Sequence, residues 1–423
     1  MAKRPYGVLG RTLGHSYTPA IYRALADLDY VRFEREPDEV RAFLRGDEWE
    51  GVNVTIPYKK VAAQEVDELT PTAKRLGNVN TVTRLDDGRL RGDNTDYYGF
   101  EMLVRSLGID LAGKRALVFG GHGGAGSTCM VVLADLGMLP VAVCRKRGEA
   151  TGAGAADAFP SATYEELGAY RDAALIVNAT PVGMFPHCPA SVYPLETFDR
   201  LEAVVDIVYN PARTALMMEA ERRGIPAIGG LLMLVAQAAA AVRCYTGEVI
   251  DIERVRSVTD ALDRDVENIA LIGMPGAGKT RVGEALARKL GRTHVDIDHA
   301  LEEHLRTTCS AFITQQGEDA FRHEETAVLA KIAAQSGLVI SCGGGVVTRE
   351  ENYPLLHQNS RIYMLDRPLG ELSAQGRPIT QRDGIERLAH ERLPRYRAWA
   401  DEVIASRESA AATAGAIADA YRS

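Results

Sequence analysis

Residues 268–290 read NIALIGMPGAGKTRVGEALARKL, and this stretch decides the fold of the C-terminal third. Ile269 to Ile272 make an apolar run of strand length, glycines crowd the next positions, and apolar residues then recur at helical spacing. Gly273, Gly278, Lys279 and Thr280 fit the pattern GxxxxGK(S/T), in the strand–turn–helix context it requires. Backbone N–H groups of Gly273, Gly276, Ala277 and Gly278 are expected to cradle phosphates. Lys279 would reach the terminal phosphates, and the Thr280 hydroxyl would bind Mg²⁺. ATP with Mg²⁺ is the ligand this pattern suits.

A second glycine turn lies upstream in KRALVFGGHGGAGST, residues 114–128. Gly121, Gly123 and Gly126 fit GxGxxG, a weak signal alone that the strand Ala116–Phe119 strengthens, with Gly124 and Ala125 completing the turn. The next strand, MLPVAVC, runs into Arg145, Lys146 and Arg147. An acidic residue there would favour NAD, whereas basic residues suit the 2′-phosphate of NADP; the plain alternative is a solvated turn. Strands alternating with amphipathic helices imply parallel α/β sheets throughout.

The chain has 423 residues, enough for two to four domains, and is 46% hydrophobic and 25% charged. Its net charge of -8 argues against nucleic acid as a partner. The N-terminus has no apolar run of signal-peptide length. The longest weakly polar run, Ala227–Val242, is sixteen residues, too short for a bilayer and suited to a buried helix. Together these suit a cytoplasmic protein without membrane attachment, and a homo-oligomer is compatible with them. Six dispersed cysteines lack any CxxC pair and read as reduced thiols. His294, His299 and His304 recur every five residues, which does not align them on a helix face, so no structural metal is expected. Arg254–Asn268 carries seven charges in fifteen residues without Gly or Pro, and reads as a helix continuing into a short connection.

Residues 51–60, GVNVTIPYKK, combine strand alternation with an unusual polar content. Val52, Val54 and Ile56 share one face, Asn53 and Thr55 the other. A wet edge strand ended by Pro57, with Lys59 and Lys60 solvated, is the plain reading. Spacing does not choose between the lysines.

With these pieces assembled, the first 255 or so residues resemble shikimate dehydrogenase. The resemblance is carried by GHSYTP with Ser16 and Thr18, NVTIPYK, GNVNTV with Asn80, and GDNTDYYGF with Asp96. NATPVGM with Asn178, Thr180 and Met184, DIVYNP with Tyr209, and a returning helix with Gln237 complete it. It implies that Lys59 is catalytic and Asp96 assists it. Ser16, Thr18, Asn53, Thr55, Asn80, Tyr209 and Gln237 would hold the substrate, and Asn178, Thr180 and Met184 would flank the nicotinamide. Thr18 stands where the family usually has serine, and the glycine turn is one residue longer than usual.

Residues 266–423 resemble shikimate kinase. VDIDHALE supplies Asp296 and Asp298, GEDAFRHEE supplies Arg322, SCGGGVV supplies Gly343, Gly344 and Gly345, LPRYRAWA supplies Arg397, and GRPIT supplies Arg377. The resemblance implies that Asp296 helps hold Mg²⁺ and Asp298 receives the proton of the attacking hydroxyl. Arg322 and Arg397 would bind a carboxylate, and Arg377 would stabilise charge on the transferring phosphate. Pro368–Gly376 lacks the additional basic residue often found there.

The fold expected is α/β: a two-lobed dehydrogenase with a Rossmann NADP lobe, followed by a P-loop kinase domain with a parallel sheet. The boundaries expected are 1–100 plus 232–258 for the substrate lobe, 101–231 for the Rossmann lobe, 259–267 for a linker and 268–423 for the kinase. The activity implied is reduction of 3-dehydroshikimate with NADPH, then phosphorylation of shikimate with MgATP. A first half acting on quinate or an amino analogue, and a non-catalytic sensor keeping both folds, are the alternatives.

Overall fold

The structure is a computed structural model that describes residues 4–13, 17–146, 158–372 and 383–422. Two compact units emerge. The first comprises residues 1–184, 190–209 and 216–262, and the second comprises 185–189, 210–215 and 263–423.

The first unit holds two sheets. One contains β1 (Tyr6–Gly10), β2 (Tyr30–Glu34), β3 (Gly51–Val54), β4 (Glu68–Leu69), β5 (Thr81–Arg84) and β6 (Leu90–Asp93), in the order β2-β1-β3-β5-β6-β4. β1 pairs parallel with β2 and β3, but β5 runs antiparallel to both β3 and β6. Parallel pairing throughout is therefore corrected here. The reason is local: Leu85–Arg89 contains Asp87-Gly88, and Gly88 takes φ 86°, so a tight turn folds β5 onto β6. β3 is central, not an edge strand, and is buried along its whole length. It ends at Val54, so Ile56 does not share the face of Val52 and Val54 and stands 77% exposed.

The second sheet contains β7 (Arg115–Phe119), β8 (Leu139–Cys144), β9 (Ser161–Thr163), β10 (Leu175–Asn178), β11 (Ala203–Asp206) and β12 (Ala227–Gly229), in the order β12-β11-β10-β7-β8-β9. All its pairings are parallel. Apolar clusters cover both faces, which is why its strands read as unbroken hydrophobic runs. The strand order reverses between β7 and β10, the place where such sheets bind ligands.

Helix Asp96–Ser106 and helix Leu231–Thr246 pack together. Gly99 permits this, since a Cβ there would stand 2.7 Å from the Met233 carbonyl oxygen and 3.0 Å from Gln237 Cβ. Helix Ile252–Val266 follows, buries Val255 and Val258, and includes most of the stretch expected as a connection.

The second unit is built on β13 (Asn268–Ile272), β14 (Thr293–Asp296), β15 (Leu338–Ser341), β16 (Ser360–Asp366) and β17 (Glu402–Ala405). They form one parallel sheet in the order β14-β15-β13-β16-β17 around a single apolar core. Among the described residues no helix is long and apolar enough to cross a membrane, and all six cysteines are free thiols.

Candidate active sites

In the first unit a cavity of about 420 Å³ opens where β1 and β3 end and β5 begins, beside the two packed helices. Thr18, Asn53, Thr55, Lys59, Asn80, Asp96, Tyr209 and Gln237 all line it. Ser16 lies outside the described residues. Lys59 begins helix Lys59–Glu65 and Asp96 begins helix Asp96–Ser106. A carboxylate is favoured at a helix N-terminus and a cation is not, so Asp96 is at home there while Lys59 depends on a partner. That partner is Asp96: Lys59 Nζ stands 2.5 Å from Asp96 Oδ2, with both side chains mostly buried. Lys60, one residue on, is exposed.

Asn53 is not free to serve a ligand with its whole amide. Its Oδ1 accepts from the Tyr22 hydroxyl at 2.5 Å and the Tyr30 hydroxyl at 2.7 Å, and its Nδ2 donates to Thr81 Oγ1 at 3.0 Å. Asn80 Oδ1 accepts from the Thr95 backbone N–H at 2.7 Å, which aims Asn80 Nδ2 at the cavity.

The second sheet carries the glycine turn after β7. A Cβ on Gly126 would stand 2.0 Å from the Gly120 carbonyl oxygen, and one on Gly121 would stand 2.7 Å from Ala142 Cβ. Gly126 thus lets helix Gly124–Asp135 sit against the turn, and Gly121 lets the turn sit against β8. Gly123 is its N-cap, and Gly124 and Ala125 form its first residues, with open space around Gly124. The opening fits a pyrophosphate at a helix N-terminus, longer turn notwithstanding. Arg145 and Lys146 follow β8 and are exposed, while Arg147 lies outside the described residues. At the end of β10, Asn178 Oδ1 accepts from the Thr180 N–H at 3.0 Å and its Nδ2 donates to the Val182 carbonyl at 3.1 Å. This fastens the loop that presents Met184, which is 44% exposed.

In the second unit a cavity of about 380 Å³ is lined by the glycine turn, Lys279, Thr280, Asp296, Asp298, Arg322, Glu325, Gly343 to Gly345 and Arg392. Gly276 and Gly278 take φ of 87° and 91°, the left-handed region that suits glycine and turns the N–H groups of the loop inward. Thr280 Oγ1 donates to Asp296 Oδ2 at 2.6 Å, bringing a hydroxyl and a carboxylate together beside the turn. Two such oxygens suit Mg²⁺, which takes one or two protein oxygens and completes its shell with water and phosphate. Among the described residues no cluster of three or more His, Cys, Asp or Glu could hold a metal by itself.

Asp298 has its carboxyl raised from 3.8 to about 6, first by burial and then by the nearby charges of Glu325 and Asp296. Each glycine after β15 makes room for one group. A Cβ on Gly343 would stand 2.6 Å from Glu325 Oε1 and 2.7 Å from Asp298 Oδ1, and one on Gly345 would stand 2.0 Å from Arg322 Nη1. On Gly344 it would meet Pro275 at 2.6 Å.

Arg392, not Arg397, lines this cavity, which corrects the sequence expectation. On helix Ile385–Trp399 the buried stripe runs Leu388, Arg392, Tyr396, and a residue five positions past Arg392 falls on another face. Arg397 is exposed. Glu325 was also missed: it is fully buried and pairs through Oε2 with Arg322 Nη1 at 2.8 Å. Arg322 Nε, Arg392 Nε and Glu325 Oε1 are buried without protein partners. Two guanidinium N–H groups and one carboxylate oxygen left open call for a ligand bearing both an anionic group and a hydroxyl. Arg377 lies outside the described residues.

The family described as shikimate dehydrogenase substrate binding domain matches residues 8–82, and that described as shikimate kinase matches residues 275–422. A shikimate dehydrogenase (NADP(+)) of Methylobacterium radiotolerans is 37% identical over 279 residues, covering 62% of this chain and 96% of the relative. That of Methanothermobacter thermautotrophicus is 34% identical over 258 residues, covering 57% and 90%. Among solved structures, the Thermus thermophilus shikimate 5-dehydrogenase in complex with NADP(H) and shikimate superposes with a TM-score of 0.55 at 33% identity, over 61% of this chain and 99% of that one.

Proposed function

The chain belongs to the shikimate dehydrogenase family and carries a shikimate kinase domain after it, and on that premise we propose a two-step enzyme. The first unit reduces 3-dehydroshikimate to shikimate with NADPH, and the second phosphorylates the 3-hydroxyl of shikimate with MgATP in the cytoplasm. The domain boundaries proposed are 1–100 plus 232–258, 101–231, 259–267 and 268–423.

The observation that carries the first step is the Lys59–Asp96 pair inside a cavity of polar side chains. Bound NADPH and MgATP supply the hydride and the phosphoryl group respectively. Lys59 holds a proton at Nζ and delivers it to the C3 oxygen as negative charge develops there, while Asp96 fixes the ammonium in place. Asn80 and Gln237 orient the hydroxyls, and Thr18, Thr55 and Tyr209 close the cavity around the rest. Arg145 and Lys146 bind the 2′-phosphate, and the glycine turn receives the pyrophosphate.

The second step rests on the buried, partnerless atoms of Arg322, Arg392 and Glu325. The two arginines hold the carboxylate of shikimate, and Asp298 accepts the proton of the 3-hydroxyl. Thr280 and Asp296 hold Mg²⁺, Lys279 faces the terminal phosphates, and Arg377 stabilises charge on the transferring group. A coupled reaction with 3-dehydroshikimate, NADPH and MgATP, followed by mass, tests both steps. Accumulation of shikimate 3-phosphate is the expected result; NADPH oxidation without ADP release, or neither, defeats the corresponding half.

A further inference from the structure

In the second sheet β13 lies between β15 and β16, and the glycine turn that follows β13 has a neighbour on each side. The β15 side is taken up by Gly343 to Gly345, which line the cavity with Arg322, Glu325 and Arg392. The β16 side carries a cation that the reaction above does not use. β13 and β16 pair as far as Ile272 and Met364, and a Cβ on the next residue, Gly273, would stand 2.7 Å from the Leu365 carbonyl oxygen. Two residues beyond Leu365 comes Arg367. Apart from its chain neighbours and its own helix, the only atom within 4.0 Å of a Cβ on Gly278, among the described residues, is Arg367 Nη1. Arg367 is half-buried and does not line the acceptor cavity.

The local sequence holds Arg367 in this place. Pro368 follows it, and a residue before proline is confined to extended conformations, so Arg367 prolongs β16 past the sheet edge. A single turn, Leu369–Glu371, then brings Glu371 Oε2 to Arg367 Nε at 3.2 Å. That pair occupies Nε alone. Among the described residues Nη1 and Nη2 have no hydrogen-bond partner, and together they make a fork that fits phosphate oxygens.

The helix itself opposes a cation here. Gly278 is the N-cap of helix Lys279–Leu290, whose dipole is positive at this end, and Lys279 adds a second cation beside it. An anion in the turn reverses the balance, because the helix end, Lys279 and Arg367 then all attract it. No residue between Arg367 and Arg377 is basic, so Arg367 is the last cation before Arg377.

We propose that Arg367 is a nucleotide-binding residue of the kinase, pairing through Nη1 and Nη2 with the phosphate chain of a nucleoside triphosphate from the β16 side of the turn. The inference rests on the kinase reading above.

The test uses the full chain, with NADPH oxidation in the same sample as the measure of folded protein. Arg367→Met should raise the KM for MgATP about tenfold, the scale of one charge-assisted hydrogen bond, while the KM for shikimate stays within about twofold. Arg367→Lys keeps the charge without the fork, and its KM for MgATP should fall between those of wild type and Arg367→Met. An unchanged KM for MgATP in Arg367→Met overturns the inference. So does an Arg367→Lys variant as weak as Arg367→Met, since charge would then play no part. An equal rise in the KM for shikimate also overturns it, by reporting a general disturbance of the unit. A wild-type chain that releases no ADP from MgATP with shikimate would instead overturn the kinase reading, and the inference with it.

Discussion

Replacing Asp298 by Asn should abolish phosphorylation and at the same time stabilise the second unit. The carboxyl is raised from 3.8 to about 6, chiefly by burial and then by Glu325 and Asp296. Asp298 Oδ1 and Glu325 Oε1 both lie within 2.7 Å of the point where a Gly343 Cβ would be, so the two carboxylates share one small space. Between the two values the folded protein keeps a proton that the unfolded chain has released. Stability therefore falls as pH rises from 3.8 toward 6, and the loss is complete above 6. At 1.36 kcal/mol per pH unit, that is up to about 3 kcal/mol at pH 7. An asparagine carries no such cost and can donate its N–H to the orphaned Glu325 Oε1. Hydrogen exchange of β13 under urea, read by mass spectrometry, reports the second unit alone. The variant should be more stable at pH 7 and lose that advantage below the ordinary value of 3.8. A variant no more stable than wild type at pH 7, or a gain as large in acid as at neutrality, would refute the reasoning.

The wild-type kinase should lose kcat/KM as pH falls through about 6, because Asp298 must be ionised to accept a proton; a flat profile across that region, measured by ADP release, would remove it from that role. Lys59→Ala should cut dehydrogenase turnover by roughly 10²-fold or more while Lys60→Ala leaves it nearly unchanged, as NADPH oxidation will show. Arg392→Ala should raise the KM for shikimate about tenfold or more, the scale of a lost charge-assisted contact, and Arg397→Ala should not. Neutralising Arg145 and Lys146 should weaken NADPH far more than NADH in titrations, and equal losses would show that these cations only decorate a turn.

The glycine turns and their flanking strands were legible because few other sequences satisfy both the backbone and the context. The β5–β6 reversal was legible in principle from Asp87-Gly88, but the alternation of strands and helices elsewhere masked it. Arg392 and Glu325 carried a plain signal. Each is a charge on an otherwise apolar helical stripe: Leu388, Arg392, Tyr396 in one helix, and Phe321, Glu325, Val328 in the other. Reading the motif around LPRYR instead of the stripe led to Arg397. Asn53 was placed at the cavity by its strand, but its attachment to Tyr22 and Tyr30 could not be seen, because those partners are brought to β3 only by parallel pairing through β1 and β2 and the helix between them.

The close approach at Gly99 ties together groups that a sequence treats as remote. Asp96 stands three residues before it on one helix, and across the contact Gln237 stands on the other. Pushing these helices apart by the width of a methyl group would disturb the proton-delivering pair and the hydroxyl-orienting amide together. This side of the cavity is thus a fixed wall that tolerates no gradual widening. A change of preferred substrate that preserves chemistry must instead be written elsewhere in the lining, as at Thr12, Leu13 and Thr18, none of which belongs to either packed helix. The boundary between fixed chemistry and adjustable specificity in this enzyme is drawn by one missing side chain.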